Sequence, residues 1–290
     1  MSDISGFLNI NKSLNMTSHD VVAKIRRTFK IKKVGHAGTL DPLATGILII
    51  CIGNATRLSE YVMHATKHYR ARVHLGVTTD TYDAEGAVLQ ERDPSHIQLV
   101  DVEAKLGAFL GDIEQMPPMY SAIKQGGQKL YDLARAGQTV ERELRPVKID
   151  SLKIEDWSPP EFTLDVVCSA GTYIRSLAFD VGEALDVGAH LSGLLRVSSG
   201  TFQLENALTL ETLFAAENWQ QYLIPPQVAL ADWSTIQLSA DDTEHILHGR
   251  AIPATQSSSE LSFAYDPNGQ LVAILRADAG LWRPHKVFSD

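Results

Sequence analysis

The sequence predicts an α/β (α+β) fold: a mixed, mainly antiparallel central sheet flanked by helices, followed by a small C-terminal β domain. Three observations predict it. Segments with strand-like alternation are separated by helical segments long enough to act as crossovers. Other strand-like segments follow one another as hairpin-like pairs. Short strands with strong turn signals follow the break at Leu223-Ile224-Pro225-Pro226. At about 150 residues per domain, a chain of 290 residues holds one large domain and one small one, divided here as 1–228 and 229–290.

Each element has its own warrant. Gly6–Ile10 reads as a short strand. Thr17-Ser18-His19-Asp20 has the form of a capping box, and Val21, Val22, Ile25 and Phe29 follow at helical spacing. Lys24, Arg27 and Lys30 take the other faces of that helix. Val34–Thr45 reads as a loop punctuated by Gly and Pro that runs into the apolar strand Gly46–Gly53. A loop entering a central strand is held rigidly at one end, which suits chemistry. Tyr69, Ala71, Val73 and Leu75 form one face of a strand, and Arg70, Arg72 and His74 the other. Val102–Leu110 reads as a helix. Phe162–Cys168 reads as a strand that stops at Ser169-Ala170-Gly171, with a helix from Thr172 to Leu185. Asp266-Pro267-Asn268-Gly269 predicts a hairpin turn between Leu261–Tyr265 and Gln270–Arg276.

Composition narrows the function classes. Hydrophobic residues make up 44% and charged residues 21%, enough for a full core without disulfides or metals. No window approaches the roughly 18 apolar residues of a membrane span. Met1-Ser2-Asp3-Ile4-Ser5 has neither a basic nor an apolar leader segment, so a cytoplasmic protein is expected. Cys51 and Cys168 lie in apolar strand-like runs and read as buried free thiols.

The balance of 26 Lys+Arg against 35 Asp+Glu gives a net charge of −9, which argues against a polyanion. The distribution argues the other way. Val21–Lys33 carries Lys24, Arg26, Arg27, Lys30, Lys32 and Lys33 with no acid. Met119–Lys148 carries Lys124, Lys129, Arg135, Arg142, Arg145 and Lys148 against Asp132, Glu141 and Glu143. Local fields decide where a polyanion docks, although solvated helix faces look similar.

Three residues stand out for chemistry. Asp41 precedes a proline and follows Gly35 and Gly38, so it is either a turn-maker or a mounted carboxylate. Arg175 falls in the first turn of a helix, where a cation faces the positive end of the macrodipole. It either turns back to water or meets a buried carboxylate, which it would hold below the usual carboxylate pKa. Tyr69 either packs in the core or stacks on a flat ligand and offers its hydroxyl. The histidines, His36 included, show no metal-ligand spacing, so no metal is expected. Phosphate-loop, dinucleotide and nucleophile-elbow motifs are absent from the sequence.

The string Gly35-His36-Ala37-Gly38-Thr39-Leu40-Asp41-Pro42-Leu43-Ala44-Thr45-Gly46 resembles the catalytic-aspartate motif of the TruB-type tRNA pseudouridine synthases. Lys67-His68-Tyr69-Arg70 is similar to that family's tyrosine segment, and Gly76–Asp83 continues its pattern. Gly111–Ala122 resembles the segment leading into an RNA-clasping thumb, placed here at about 119–148. Gly171-Thr172-Tyr173-Ile174-Arg175-Ser176-Leu177 resembles the arginine motif. The tail is similar to a PUA-type RNA-binding domain.

The resemblance implies a set of roles. Asp41 would be the nucleophile, Arg175 its partner, and Tyr69 the ring that stacks on the flipped base and shares in proton transfer. His36 would help hold the target nucleotide, Tyr173 and Leu194 would line the uracil pocket, and Lys12 would support the site indirectly. Lys24, Arg27, Lys124 and Lys129 would contact the RNA backbone. The sequence departs from the family at Lys12-Ser13-Leu14-Asn15-Met16-Thr17-Ser18, where Asn15 replaces a glycine and tolerates the same left-handed turn. It departs also at His68 and at Leu194-Leu195-Arg196, which lacks a second arginine.

The implied activity is isomerisation of uridine to pseudouridine at position 55 in the T-loop of tRNA. It would run without a cofactor, in a cytoplasmic monomer with no membrane or protein partner. The alternatives are a non-catalytic RNA-binding or tRNA-folding module and a metal-dependent hydrolase using Asp41 and His36. The first would tolerate loss of Asp41, and the second lacks a ligand set. In the tail, an RNA contact is expected near Arg276, Arg283 and Lys286.

Overall fold

A computed structural model of the chain describes residues 4–288 apart from 122, 136, 139 and 255–259. The first part runs β1 (Gly6–Lys12), α1 (Ser18–Phe29), β2 (Val34–Ala37), β3 (Ala44–Ile52), α2 (Ser59–Met63), β4 (Lys67–Leu75), β5 (Val77–Thr79), β6 (Val88–Glu91), α3 (Leu99–Leu106) and β7 (Gly111–Gln115). The short pieces β8 (Lys124–Gln125), β9 (Gln128–Lys129) and α4 (Leu130–Arg135) follow. Then come β10 (Arg145–Ser158), β11 (Glu161–Cys168), α5 (Ile174–Ala184), β12 (Ala189–Ser199), β13 (Phe202–Gln203), α6 (Leu210–Ala215) and α7 (Pro226–Ala229). The tail contributes β14 (Ser234–Gln237), α8 (Ala240–Leu247), β15 (Ile252–Pro253), β16 (Leu261–Tyr265), β17 (Leu271–Asp278) and β18 (Leu281–Val287).

The main sheet has the order β1-β3-β12-β4-β11-β10-β7, with β2 on β3 and β13 on β12. Its described ladders are antiparallel except β3 with β12, the mixed, mainly antiparallel sheet that the sequence predicts. The apolar run in β3 is explained by burial on both faces. Leu48, Ile50 and Ile52 join the core beneath α1, α3 and α5. Ile47, Ile49 and Cys51 join a second core shared with α2 and with Phe263, Ile274 and Phe288 of the tail. Cys51 and Cys168 are buried free thiols, as expected.

Several boundaries differ from the sequence reading. Val34–Ala37 is a strand rather than the start of a loop. The ladder of β12 with β3 covers only Ala44–Gly46, and β2 satisfies the backbone groups that β3 presents farther on, from Ile49 to Ile52. The third helix begins at Leu99, where Asp101 closes a capping box on Gln98. The helix of Arg175 begins at Ile174 with Tyr173 at its N-cap. The capping box at Thr17 and Asp20 forms as read.

The tail builds a five-stranded sheet in the order β14-β16-β17-β18-β15, with α8 packed on β17 and β18 around Ile246, Leu275 and Trp282. The predicted turn at Asp266–Gly269 joins β16 to β17: Asp266 Oδ1 accepts from the N–H groups of Asn268 and Gln270. Two cations fasten this sheet to α2. Arg57 lies 4.9 Å over the Phe288 ring, and Lys286 bonds Glu60 and, at 2.8 Å, the Arg57 carbonyl. Arg276 pairs with Glu260 at 3.5 Å and Arg283 with Asp278 at 2.6 Å. Each of the three basic residues expected to contact RNA thus has an acidic neighbour.

Candidate active site

The site is assembled around the turn that carries Asp41. Three side chains and one backbone N–H pin it. Ser18 Oγ, in the first turn of α1, accepts from the Leu40 N–H at 2.9 Å and donates to the Leu40 carbonyl at 3.0 Å. Lys12 Nζ, fully buried at the end of β1, reaches the carbonyls of Ser13, Met16 and Pro42 at 3.1, 2.7 and 3.3 Å. Asn15 takes a φ of 62° and donates its N–H to the Pro42 carbonyl at 2.9 Å. The asparagine thus makes the left-handed turn expected of it. Arg196, on β12 and 1% exposed, donates to the Ile47 carbonyl at 2.7 Å and to the Gly38 carbonyl at 3.2 Å.

Gly46 is required by this arrangement. Its φ is +94°, and a Cβ there would lie 2.3 Å from the Arg196 carbonyl oxygen. The parallel approach of β12 to β3 leaves no room for a side chain.

Asp41 pairs with Arg175, Oδ2 to Nε at 3.0 Å. The guanidinium makes three further contacts. Nη1 donates to the Thr81 carbonyl at 3.1 Å and lies 3.4 Å from Asp83 Oδ2, and Nη2 donates to the Tyr120 carbonyl at 2.8 Å. The anion that a first-turn arginine demands is therefore present twice over. Exposure separates the two carboxylates: the Asp41 side chain is 34% exposed and Asp83 5%. Only the former is open to a ligand of any size.

The electrostatics correct one expectation. Removal from water pushes the Asp41 carboxyl above its ordinary value. Arg175 and Lys12 oppose that shift and Asp83 adds to it. Desolvation together with a second carboxylate outweighs the two cations. Lys12 is drawn down to about 8 by its own burial, with Asp41 opposing. Tyr69, 8% exposed on β4, is raised by burial, while a hydrogen bond and the charge of Arg196 pull it back. Asp41 lies within electrostatic range of its hydroxyl.

The remaining sequence candidates fall around this core. Leu194 stands in register with Ala44 on one side and Ala71 on the other, between the exit of the Asp41 turn and the strand of Tyr69. Tyr173 caps α5 and is clamped by Gln115, which accepts its N–H at 2.7 Å and donates to its carbonyl at 2.9 Å. Its ring borders a groove of about 470 Å³ with Arg145 and Ile123. His36 lies on β2 with its ring edge-on to His19 at 5.4 Å. Burial, His19 and Arg196 lower its pKa. Lys24 and Arg27 project from the exposed side of α1. The side chains of Lys124 and Lys129 lie outside the described residues.

Two site residues escape the sequence reading. Asp83 sits at the end of Gly76–Asp83, a segment that reads only as a continuation of the family pattern. Arg196 reads only as the survivor of an arginine pair. A lone arginine after the apolar pair Leu194-Leu195 and before Val197 is the signal that could have found it.

Comparison with known proteins follows the same segments. The model of the TruB family pseudouridylate synthase N-terminal domain matches residues 26–174. A tRNA pseudouridine synthase B of Symbiobacterium thermophilum is 50% identical, over 86% of this chain and 84% of its own. The chain belongs to the TruB family of pseudouridylate synthases. The tRNA pseudouridylate synthase B C-terminal model and the tRNA pseudouridine synthase II C-terminal model match residues 175–230 and 233–289. A tRNA pseudouridine synthase B of Clostridium perfringens is 43% identical, over 95% of this chain and 96% of its own. Among solved structures, the TruB-family fold seen here superposes on a Cbf5-Nop10-Gar1 complex with a TM-score of 0.74 and 26% identity, covering 99% of this chain and 85% of that one. The resemblance read from the motifs is thus borne out, as is the fold class.

Proposed function

We propose that the chain isomerises uridine to pseudouridine in tRNA, at position 55 of the T-loop, with Asp41 as nucleophile and no cofactor. The observation that carries this reading is the Asp41–Arg175 pair at 3.0 Å, an accessible carboxylate on a buried guanidinium in a TruB-family chain. The reaction breaks the N1–C1′ bond of the nucleotide and joins C5 of the same base to C1′. A proton leaves C5 and N1 gains one, so nothing is oxidised. Such a reaction needs an ionised carboxylate beside the sugar and base, a cation to hold it so, and a pocket that retains the detached base. Addition of Asp41 to C1′ and abstraction of a sugar proton both begin from that carboxylate.

The other groups supply what remains. Tyr69 stacks on the flipped base and takes part in proton transfer through its hydroxyl. Leu194 and Tyr173 line the base pocket, and His36 helps hold the extruded nucleotide. Flipping a base out of a folded arm costs a few kcal/mol, roughly. Phosphate contacts from Lys24 and Arg27, and from Lys124 and Lys129 in the thumb, offset it. The catalytic part occupies residues 1–228, the PUA-like part residues 229–290, and the protein works as a monomer. A module that only bound RNA would need no accessible carboxylate on a buried guanidinium.

The test is to incubate purified protein, without added cofactor, with unmodified tRNA transcripts and to map pseudouridine. A single new pseudouridine at the T-loop uridine is expected. No product, or product only at other uridines, would refute the reading.

A further inference from the structure

Tyr82 has a φ of 63°, a region that a bulky residue occupies only where its surroundings over-determine it. Its surroundings are unusual in two ways. Its ring stacks on Phe179 of α5, with centroids 4.1 Å apart and planes 20° from parallel. Its two chain neighbours both grip Arg175 Nη1, Thr81 through its carbonyl at 3.1 Å and Asp83 through Oδ2 at 3.4 Å. Arg175 and Phe179 are four residues apart on α5, so they lie one above the other on a single helix face. The tripeptide Thr81-Tyr82-Asp83 therefore docks on α5 through adjacent polar and aromatic contacts.

The left-handed residue is what brings those contacts together. It reverses the chain so that a carbonyl before it and a carboxylate after it converge on one nitrogen. The Tyr82 carbonyl is in turn held by the Leu191 N–H at 3.0 Å, and the Asp83 carbonyl by Thr79 Oγ1 at 2.7 Å. Tyr82 and Phe179 are each only partly buried and belong to none of the three apolar cores. Core packing does not account for the stack.

We propose that Tyr82 and Phe179 form a positioning pair: their stack holds the left-handed turn at Tyr82 and thereby fixes Arg175 in the orientation that meets Asp41. The inference rests on the reading of Asp41 and Arg175 as the reacting pair. Neither aromatic ring is assigned contact with the substrate.

The experiment compares Tyr82→Ala, Tyr82→Gly, Tyr82→Phe and Phe179→Ala with the parent, using Asp41→Asn as control. Single-turnover rates on a tRNA transcript, tRNA Kd and the pH–rate profile are measured, with circular dichroism as the check on folding. Tyr82→Phe should match the parent. Tyr82→Ala and Phe179→Ala should be slowed by about 10- to 100-fold, the scale of a misplacement of about 1 Å in a catalytic group, with Kd unchanged. Their acid limb should move to higher pH, because a loosened Arg175 stabilises the Asp41 carboxylate less. Tyr82→Gly should recover much of the rate lost in Tyr82→Ala, since glycine adopts positive φ without steric cost.

Equal slowing of Tyr82→Ala and Tyr82→Gly together with weaker tRNA binding would make the ring an RNA contact and overturn the proposal. Parent-like turnover in Tyr82→Ala, with Asp41→Asn inactive, would overturn the positioning pair alone. Turnover retained in Asp41→Asn would overturn the site reading, and the positioning pair with it. If Tyr82→Ala fails to fold, Phe179→Ala and Tyr82→Gly carry the comparison.

Discussion

Asp41 and Asp83 share one guanidinium: Arg175 Nε lies 3.0 Å from the first and Nη1 3.4 Å from the second. One cation cannot fully stabilise both carboxylates, and the folded protein holds Asp41 above its ordinary pKa of 3.8. A carboxyl raised in this way binds its proton more tightly folded than unfolded. Its contribution to stability is therefore present at low pH and lost as pH rises from 3.8 through the folded value. The proposed reaction needs the ionised form, so the acid limb of turnover should lie above the ordinary Asp range. Asp83→Asn removes a carboxylate that raises the Asp41 carboxyl and should move that limb to lower pH. Rates measured from about pH 4 to about pH 8 decide it; an unmoved limb would remove Asp83 from the environment of Asp41.

Asp41→Asn should bind tRNA with the parent Kd and turn over at less than about a thousandth of the parent rate. Tritium release from 5-tritiated uridine in a tRNA transcript measures the rate. Retained release would exclude Asp41 as the nucleophile.

Burial keeps the Tyr69 hydroxyl protonated to a higher pH than a free tyrosine. In the neutral range the hydroxyl is therefore protonated and able to donate a hydrogen bond. Tyr69→Phe should lower turnover by about 10²- to 10⁴-fold, the range for a lost acid–base group, and leave Kd nearly unchanged. A variant as fast as the parent would leave the ring with a stacking role only.

Gly46→Ala is expected to destabilise the fold by about 3 kcal/mol or more, since a Cβ at 2.3 Å from the Arg196 carbonyl forces β12 away from β3. Arg196→Met should cost about 3 kcal/mol by stripping the donors from the buried Ile47 carbonyl and the half-buried Gly38 carbonyl. Lys286→Ala, by contrast, removes a partly exposed cation with its ion pair to Glu60 and its bond to the Arg57 carbonyl and should cost less, about 1 kcal/mol. Urea unfolding ranks the three. A Lys286→Ala loss equal to the other two would show that the latch on α2 outweighs the buried contacts.

Lys24→Gln and Arg27→Gln should each weaken tRNA binding and reduce the slope of log K against log salt by about 1 for each phosphate that is no longer neutralised. The single-turnover rate at saturating enzyme should be unchanged. An unaltered slope would return α1 to the role of a plain solvated face.

The fold class and the strands that carry the site were legible in the amino-acid order. Alternation in Tyr69–Leu75, the apolar run of β3 and the capping box at Thr17 are local patterns, and local patterns survive in a linear reading. The Gly35–Gly46 string identified the family for the same reason. Tertiary structure alone decided that Val34–Ala37 pairs as a strand, because that depends on where β12 stops following β3. It alone made Arg196 a buried clasp and Asp83 the second claimant on Arg175. It also set the direction of the Asp41 pKa, since desolvation is summed over every element packed near the carboxyl and no single pair predicts it.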